Sequence, residues 1–139
     1  MKIYIASSFD EAKSCEMIRK LLTASGHEIP DVWWNVKTKD DFTDHSDAEF
    51  YSAPIVQAIA ARHWRTIREC DAVVIVSNLE TARSFTGANV EIGFAHALGK
   101  PILAVGLLKR SAMYVPVIQC GVSARQLIEA VDCIGQNQR

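Results

Sequence analysis

Glu91 is the residue whose type and position best fit a chemical role, in the segment Gly87-Ala-Asn-Val-Glu-Ile-Gly-Phe-Ala-His-Ala-Leu-Gly99. On a helix it shares a stripe with Ala95 and Leu98, so a carboxylate occupies a mainly apolar, inward-facing position. It also falls in the predicted first turn, where the helix dipole favours the ionised form; that electrostatic role alone requires no function. Gly93 inside a helix costs about 1 kcal/mol relative to alanine, which indicates close approach of a ligand or another backbone. The pattern predicts a carboxylate facing a ligand crevice.

Three further segments are expected to line this crevice, because ligands of an open α/β sheet gather beyond the carboxyl ends of its strands. They are Ser7-Ser-Phe9, Trp33-Trp34 and the stretch from Ser77 to Gly87. Ser7 and Ser8 begin a helix, whose free N–H groups can hold an anion such as phosphate. Ser8 equally fits a capping box with Glu11. One tryptophan of the pair can stack on a planar base while the other fills the core.

Other polar residues give weaker signals. Asp71 directly precedes an apolar strand, which puts it at the opposite end of the sheet, and as a turn residue it needs no function. His63 and His96 fit partly exposed helix histidines. The stretch after the first strand lacks the glycine spacing of a P-loop or a dinucleotide fingerprint. The cysteines have no metal-ligand spacing, so neither a metal nor a cofactor is predicted.

Strands and helices alternate along the chain. Short, continuously apolar runs predict strands covered on both faces; they span residues 2–6, 72–76, 102–106 and 114–118, with a weaker run at 27–34 interrupted by Pro30. Helices are predicted after Ser8, from Pro54 to Glu69, from about residue 86 to Gly99, and after Ser123. This order predicts an α/β fold with an open, doubly wound parallel sheet and helices on both faces.

Length and charge narrow the function further. The chain has 139 residues and a formal net charge of −1, which fits a single domain over 1–139 and argues against strong binding to nucleic acid. No apolar run approaches the ~20 residues of a membrane span, and the amino terminus lacks a signal-peptide core, so a cytoplasmic protein is expected. Residues 35–52 are polar and acidic and are predicted to form a surface excursion or a lid.

Three segments together resemble the nucleoside 2-deoxyribosyltransferase family, including its deoxynucleoside 5'-monophosphate N-glycosidase relatives. They are Ile3-Tyr-Ile-Ala-Ser-Ser8, Cys70-Asp-Ala-Val-Val-Ile-Val76 and Gly87 to Pro101. The resemblance implies a flavodoxin-like, Rossmann-like sheet of five strands and cleavage of an N-glycosidic bond. It also implies that Glu91 is the nucleophile, Asp71 an acid near the reacting sugar and base, and Tyr4 a residue that orients the nucleophile.

The resemblance further implies a small-molecule substrate, a nucleoside or nucleotide, bound at a site shared between subunits of a homo-oligomer. Ser8 matches a serine that helps bind the 5'-phosphate in the monophosphate hydrolases. Phe85 stands where transferases carry an acid and these hydrolases a serine, and His63 stands where relatives often have an acid. The expected substrate-binding residues are Ser7, Ser8, Phe9, Trp33, Ser84, Phe85, Gly87 and Asn89.

The chemistry of these residues suits such a reaction. Breaking the bond between C1' and a base nitrogen builds positive charge on the sugar, which an ionised carboxylate stabilises and can trap as a glycosyl ester. A second group must protonate the departing base, and transfer to another base or to water distinguishes a transferase from a hydrolase. Two alternatives stay open: a TIR-like NAD-cleaving domain, and a catalytically inactive nucleotide-binding or sensing module.

Overall fold

The structure, a computed structural model, describes residues 1–35, 46–77, 86–106, 117–119 and 124–137. In these ranges four strands form one parallel sheet in the order β1-β2-β3-β4. They are β1 (Ile3–Ala6), β2 (Ala72–Val76), β3 (Ile102–Val105) and β4 (Val117–Gln119). Every residue of the first three strands is buried, which is why their sequences are continuously apolar instead of alternating.

The helices cover the sheet in two groups. They are α1 (Ala12–Ala24), α2 (Asp47–Ser52), α3 (Pro54–Glu69), α4 (Thr86–Ala97) and α5 (Ala124–Asn137). One group is formed by α1 and α5, which pack on each other and against β2 and β3, and the other by α3 and α4, of which α4 packs against β1, β2 and β3. The predicted doubly wound parallel α/β fold is therefore confirmed.

The expected fifth strand at residues 27–34 is wrong as a strand. A single bridge joins Lys2 to Glu28, with the Ile3 N–H donating to the Glu28 carbonyl at 2.8 Å. Pro30 has no N–H with which to continue the ladder. The chain instead turns inward and forms a short 3-10 helix, Trp33–Asn35, with both tryptophans buried.

The predicted surface excursion is described only in part, because residues 36–45 lie outside the described ranges. Its end is a helix, not a loop: Ser46 caps α2, accepting from the Glu49 N–H while the Glu49 side chain accepts from the Ser46 N–H. This reciprocal capping box satisfies two otherwise unpaired donors at the helix start. Across the described ranges no helix combines the length and apolar character that a membrane crossing requires.

Candidate active site

A cavity of about 350 Å³ opens at the carboxyl edge of the sheet, beside β1 and the start of α4. Its described lining residues are Ser7, Ser8, Trp33, His63, Gly87, Ala88 and Glu91. The two serines follow the last residue of β1, and the last three residues belong to the first two turns of α4. The parallel strands bring these distant segments to one edge, as the sequence predicted.

Glu91 faces this cavity with its side chain only 13% exposed. Its Oε1 accepts a hydrogen bond from the Tyr4 hydroxyl at 2.7 Å and lies 3.1 Å from Nδ1 of His63. Its Oε2 contacts no polar group of the described residues. Glu91 is the sixth residue of α4 and not part of its first turn, so the helix dipole acts on it less than the sequence implied.

Tyr4 binds the Glu91 carboxylate from the side of the sheet. It is fully buried in β1, and its hydroxyl reaches Glu91 from the sheet. Burial and, next, the charge of Glu91 raise the pKa of Tyr4 far above its usual value, since both disfavour the phenolate. Tyr4 therefore stays protonated and is a permanent hydrogen-bond donor to Oε1.

His63 is a site residue that sequence reasoning missed, because a helix histidine was expected to be partly exposed. It is 17% exposed and lines the cavity between Glu91 and Asp31. Its Nε2 lies 3.8 Å from Oδ2 of Asp31, which is itself 4% exposed and ion-paired with Arg62. The signal available in the sequence was that His63 stands where relatives often carry an acid.

Ser8 does not cap α1, so the predicted capping box is wrong. The first residues after β1 form a 3-10 turn, in which the Glu11 N–H bonds to the Ser8 carbonyl at 3.0 Å, and α1 begins only at Ala12. The Ser8 hydroxyl is consequently buried without a hydrogen-bond partner among the described residues. Such orphaned polar atoms are uncommon in folded proteins, and this one belongs to a cavity-lining residue. The neighbouring Ser7 hydroxyl donates to the Val76 carbonyl.

The tryptophan pair divides between cavity and core. Trp33 lines the cavity, and its ring is fixed by a 2.7 Å hydrogen bond from Nε1 to the Ile5 carbonyl. Trp34 is buried against α1, where its Nε1 donates to Glu16 at 3.3 Å. The two rings meet edge to face with centroids 5.4 Å apart. Of the two rings, that of Trp33 is the one that lines the cavity.

Asp71 does not join the cavity. It directly precedes β2 at the amino edge of the sheet and accepts a 2.7 Å hydrogen bond from the Lys2 backbone N–H. This position agrees with the one predicted from strand polarity. It differs from the placement near the reacting sugar and base that the resemblance implied.

The remaining predicted residues divide three ways. Gly87 lines the cavity, whereas Asn89 is exposed on α4 and does not. Ser84 and Phe85 lie outside the described residues, as does the side chain of Phe9. A Cβ added at Gly93 would meet nothing within 4 Å, so no described backbone approaches this glycine, and the expected approach of a ligand stays a prediction. Within that part, no three His, Cys, Asp or Glu side chains converge as metal ligands do.

Comparison with known proteins agrees with this fold. Residues 3–129 match the model of the family described as nucleoside 2-deoxyribosyltransferase. Because the match spans most of the chain, the protein belongs to the nucleoside 2-deoxyribosyltransferase family. No curated protein matches the sequence.

Solved structures with similar folds are distant in sequence. The CMP N-glycosidase BcmB of Clostridium botulinum is 17% identical, with 95% of this chain and 99% of that chain covered and a TM-score of 0.56. The 2-deoxyribosyltransferase of Bacillus psychrosaccharolyticus is 15% identical, with 92% and 90% covered and a TM-score of 0.63. A 3-dehydroquinate dehydratase-like protein of Bifidobacterium longum is 15% identical, with 100% and 98% covered and a TM-score of 0.50. At these identities the likeness concerns the fold alone.

Proposed function

We propose that this protein cleaves the N-glycosidic bond of a nucleoside or a nucleoside 5'-monophosphate, with Glu91 as the nucleophile. The observation that carries the proposal is the carboxylate in the cavity, with Oε1 held by Tyr4 and Oε2 turned to no described polar group. A carboxylate fixed in this way can stabilise a cationic sugar and form a glycosyl ester with it. Membership of the nucleoside 2-deoxyribosyltransferase family supports the same reaction class.

The chemistry proceeds in two steps. Oε2 bonds to C1' while the bond from C1' to the base nitrogen breaks, and the electron pair leaves with the base, which takes up a proton. A second base, or water, then attacks C1' and returns the electron pair to Glu91. The identity of this second nucleophile decides between transferase and hydrolase.

The cavity favours a substrate that carries a 5'-phosphate. The Ser8 hydroxyl is buried without a partner in the described ranges, and Gly87 and Ala88 at the start of α4 line the same space. Backbone N–H groups at a helix start, together with a hydroxyl, are good ligands for a phosphate. Trp33 offers an aromatic surface for the base or the sugar. That one neighbour is a CMP N-glycosidase is consistent with this preference.

A mixed-substrate assay tests the proposal. The purified protein is incubated with nucleosides, deoxynucleosides, their 5'-monophosphates and NAD, with and without an acceptor base, and free bases are separated by chromatography. We expect base release from at least one nucleoside or monophosphate, and a loss of about 10³-fold or more in Glu91→Gln, since the amide cannot act as the nucleophile. Nicotinamide release from NAD alone, or tight nucleotide binding without any base release, would contradict the proposal. Neither alternative function is supported by the family match or by the neighbours.

We also propose a homo-oligomer, a dimer or larger. Val90, adjacent to Glu91 on α4, is 57% exposed, and Tyr51 and Ile55 of α2 and α3 are also largely exposed. Exposed apolar side chains that form a patch mark protein–protein interfaces, and association of subunits is expected to bury these three. Light scattering coupled to size exclusion should give a mass of at least twice the 15.4 kDa of one chain; a monomer at micromolar concentration would contradict this.

A further inference from the structure

His63 contacts the same oxygen of Glu91 as Tyr4 does. The Tyr4 hydroxyl lies 2.7 Å and the His63 Nδ1 3.1 Å from Oε1. Two donors on one carboxylate oxygen make its two oxygens unequal, because the bonded oxygen is fixed and the other remains free for attack. The described contacts of Glu91 are therefore those of a carboxylate with one anchored and one reactive oxygen.

The contact also determines which nitrogen of His63 carries a proton. An ionised carboxylate oxygen can only accept a hydrogen bond, so Nδ1 must be the donor. Isolated imidazole side chains favour the proton on Nε2 when neutral, and the partner of a ring nitrogen decides which tautomer is present in a protein. For a neutral ring, the geometry thus selects the less common tautomer, in which the proton is on Nδ1.

Side chains from several elements surround the His63 ring. Among the described residues, titratable groups face it from three other elements: Glu91 from α4, Tyr4 from β1 and Asp31 from the segment before Trp33. Arg62, its neighbour on α3, is paired with Asp31. Arg62 approaches both carboxylate oxygens of Asp31 at 3.2 Å, and Asp31 lies 3.8 Å from Nε2 of His63. This distance is too long for a direct hydrogen bond. The Asp31–Arg62 ion pair therefore lies beside Nε2 of the ring without bonding to it. The ring of Trp33 lies 6.4 Å away by centroids.

We propose that His63 is a positioning residue for Glu91: its Nδ1–H fixes Oε1 and thereby makes Oε2 the attacking oxygen. The proposal rests on the proposed function of the site. Once Oε2 has bonded to C1' and the base has left with the electron pair and gained a proton, Oε1 becomes the carbonyl oxygen of the glycosyl ester. Donors on that carbonyl stabilise the carboxylate that re-forms when water or a base attacks C1'. With water, the second step releases the proton that the base consumed in the first.

Two amide variants at position 63 separate positioning from bulk packing. In asparagine the amide nitrogen is bonded to Cγ, as Nδ1 is in histidine, so His63→Asn keeps a donor near the position of Nδ1. In His63→Gln the amide nitrogen lies one bond further out, nearer the position of Nε2. We expect kcat for base release to fall by about 10²-fold in His63→Gln but by less than about 10-fold in His63→Asn, with KM changed little in either. Thermal melting of both variants controls for folding.

The kinetic outcome is decisive either way. A kcat for His63→Asn that does not exceed that of His63→Gln would overturn the proposal, as would a His63→Gln variant with the kcat of the wild type. A loss confined to KM would assign His63 to substrate binding instead, and would also overturn it.

A ligand-free measurement distinguishes failure of this proposal from failure of the proposed function. Long-range 1H–15N correlation spectra of the histidine rings identify the tautomer at a pH where the rings are neutral. We expect the proton of His63 on Nδ1 in the wild type and a return to the Nε2 form in Glu91→Ala. A wild-type ring protonated on Nε2 overturns the positioning role whatever the activity. If the wild type releases no base from any nucleoside or nucleotide, it is the proposed function that fails.

Discussion

The two edges of the sheet each hold a carboxylate, and the two carboxylates have opposite surroundings. At the amino edge, Asp71 accepts from the Lys2 backbone N–H. At the carboxyl edge, Glu91 lines a cavity with one oxygen anchored by Tyr4 and the other without a described polar contact. The bond between Lys2 and Asp71 joins the start of β1 to the start of β2. The bond between Tyr4 and Glu91 leaves the second oxygen of Glu91 unbonded among the described residues. A carboxylate at an edge of the sheet is thus informative about function only when its environment leaves it incompletely paired.

The same contrast extends to the polar atoms around each carboxylate. Near the amino edge, Lys100 donates to the carbonyls of Arg68 and Cys70 at 2.9 and 2.6 Å and so closes the end of α3. Near the carboxyl edge, the Ser8 hydroxyl and Nε2 of His63 are buried without a hydrogen bond among the described residues. Unpaired buried groups are costly to a fold. The ring nitrogens of His27, near the amino edge, also lack a hydrogen bond among the described residues, but His27 does not line the cavity, whereas Ser8 and His63 do. The difference predicts that changes at one edge alter stability and changes at the other alter activity.

The largest expected effect comes from matched changes of the two carboxylates. Glu91→Asp withdraws the carboxylate by one methylene, which separates it from both Tyr4 and C1', and should lower kcat by about 10²-fold or more, because such misplacements weaken a near-attack geometry severely. Asp71→Glu, the equivalent change at the amino edge, should alter kcat by less than about 3-fold. Steady-state base release measures both. An equal loss in both variants would restore Asp71 to the site and refute the comparison.

A stability effect of about 3 kcal/mol is expected at Gly106. This residue follows β3 with φ of +94°, and an added Cβ would lie 2.2 Å from the Ser77 carbonyl oxygen, so Gly106→Ala combines a strained backbone with a clash against backbone. Gly93→Ala is the control, since nothing lies within 4 Å of its added Cβ and alanine is the better helix former by about 1 kcal/mol. In urea unfolding, the free energy of unfolding should fall in Gly106→Ala and rise in Gly93→Ala. If Gly106→Ala is tolerated, the close packing of the β2 and β3 ends is refuted.

A smaller contrast separates Lys100 from Ser8. Lys100→Met removes the donor to two carbonyls and should lower the free energy of unfolding by about 1 kcal/mol with little change in kcat. Ser8→Ala removes an orphaned hydroxyl, so the free energy of unfolding should stay the same or rise slightly, while KM for a 5'-monophosphate rises. Chemical denaturation and initial rates on both variants check this. A stability loss in Ser8→Ala would show that its hydroxyl has a structural partner.

The smallest effect concerns Glu16 on α1, which does not line the cavity. A hydrogen bond from Arg19, and a further one from Trp34, lower the pKa of Glu16 from 4.5 to about 2. Because the pKa is lower in the folded state, the contribution to stability is present above about pH 4.5 and is lost as the pH falls toward 2. The Glu16 side chain is 30% exposed and its ion pair is screened by solvent, so Glu16→Gln should cost less than about 1 kcal/mol at neutral pH and nothing well below pH 2. A loss independent of pH would exclude the ion pair as its cause.

The elements predicted most accurately are those whose signals are local. β2 runs from Ala72 to Val76 and α3 from Pro54 to Glu69, as predicted, since an uninterrupted β-branched run and a first-turn proline each specify their own boundaries. The predictions that failed concern segments in which one local signal competes with another local conformation of the chain. Ser8 and Glu11 match a capping box, but the chain enters α1 through a 3-10 turn and the box does not form.

Apolar periodicity and helix-start residues act over a few neighbouring positions, so the amino-acid sequence was enough to predict the parallel sheet, the four strands that form it and the segment that carries Glu91. Tertiary structure alone decided which polar side chains meet. His63 and Glu91 are 28 residues apart and Tyr4 and Glu91 are 87 apart, so their contact depends on how α3 packs on α4 and α4 on β1. The separation of Asp71 from them has a different origin, since strand direction puts it at the other edge of the sheet and the sequence already indicated that direction.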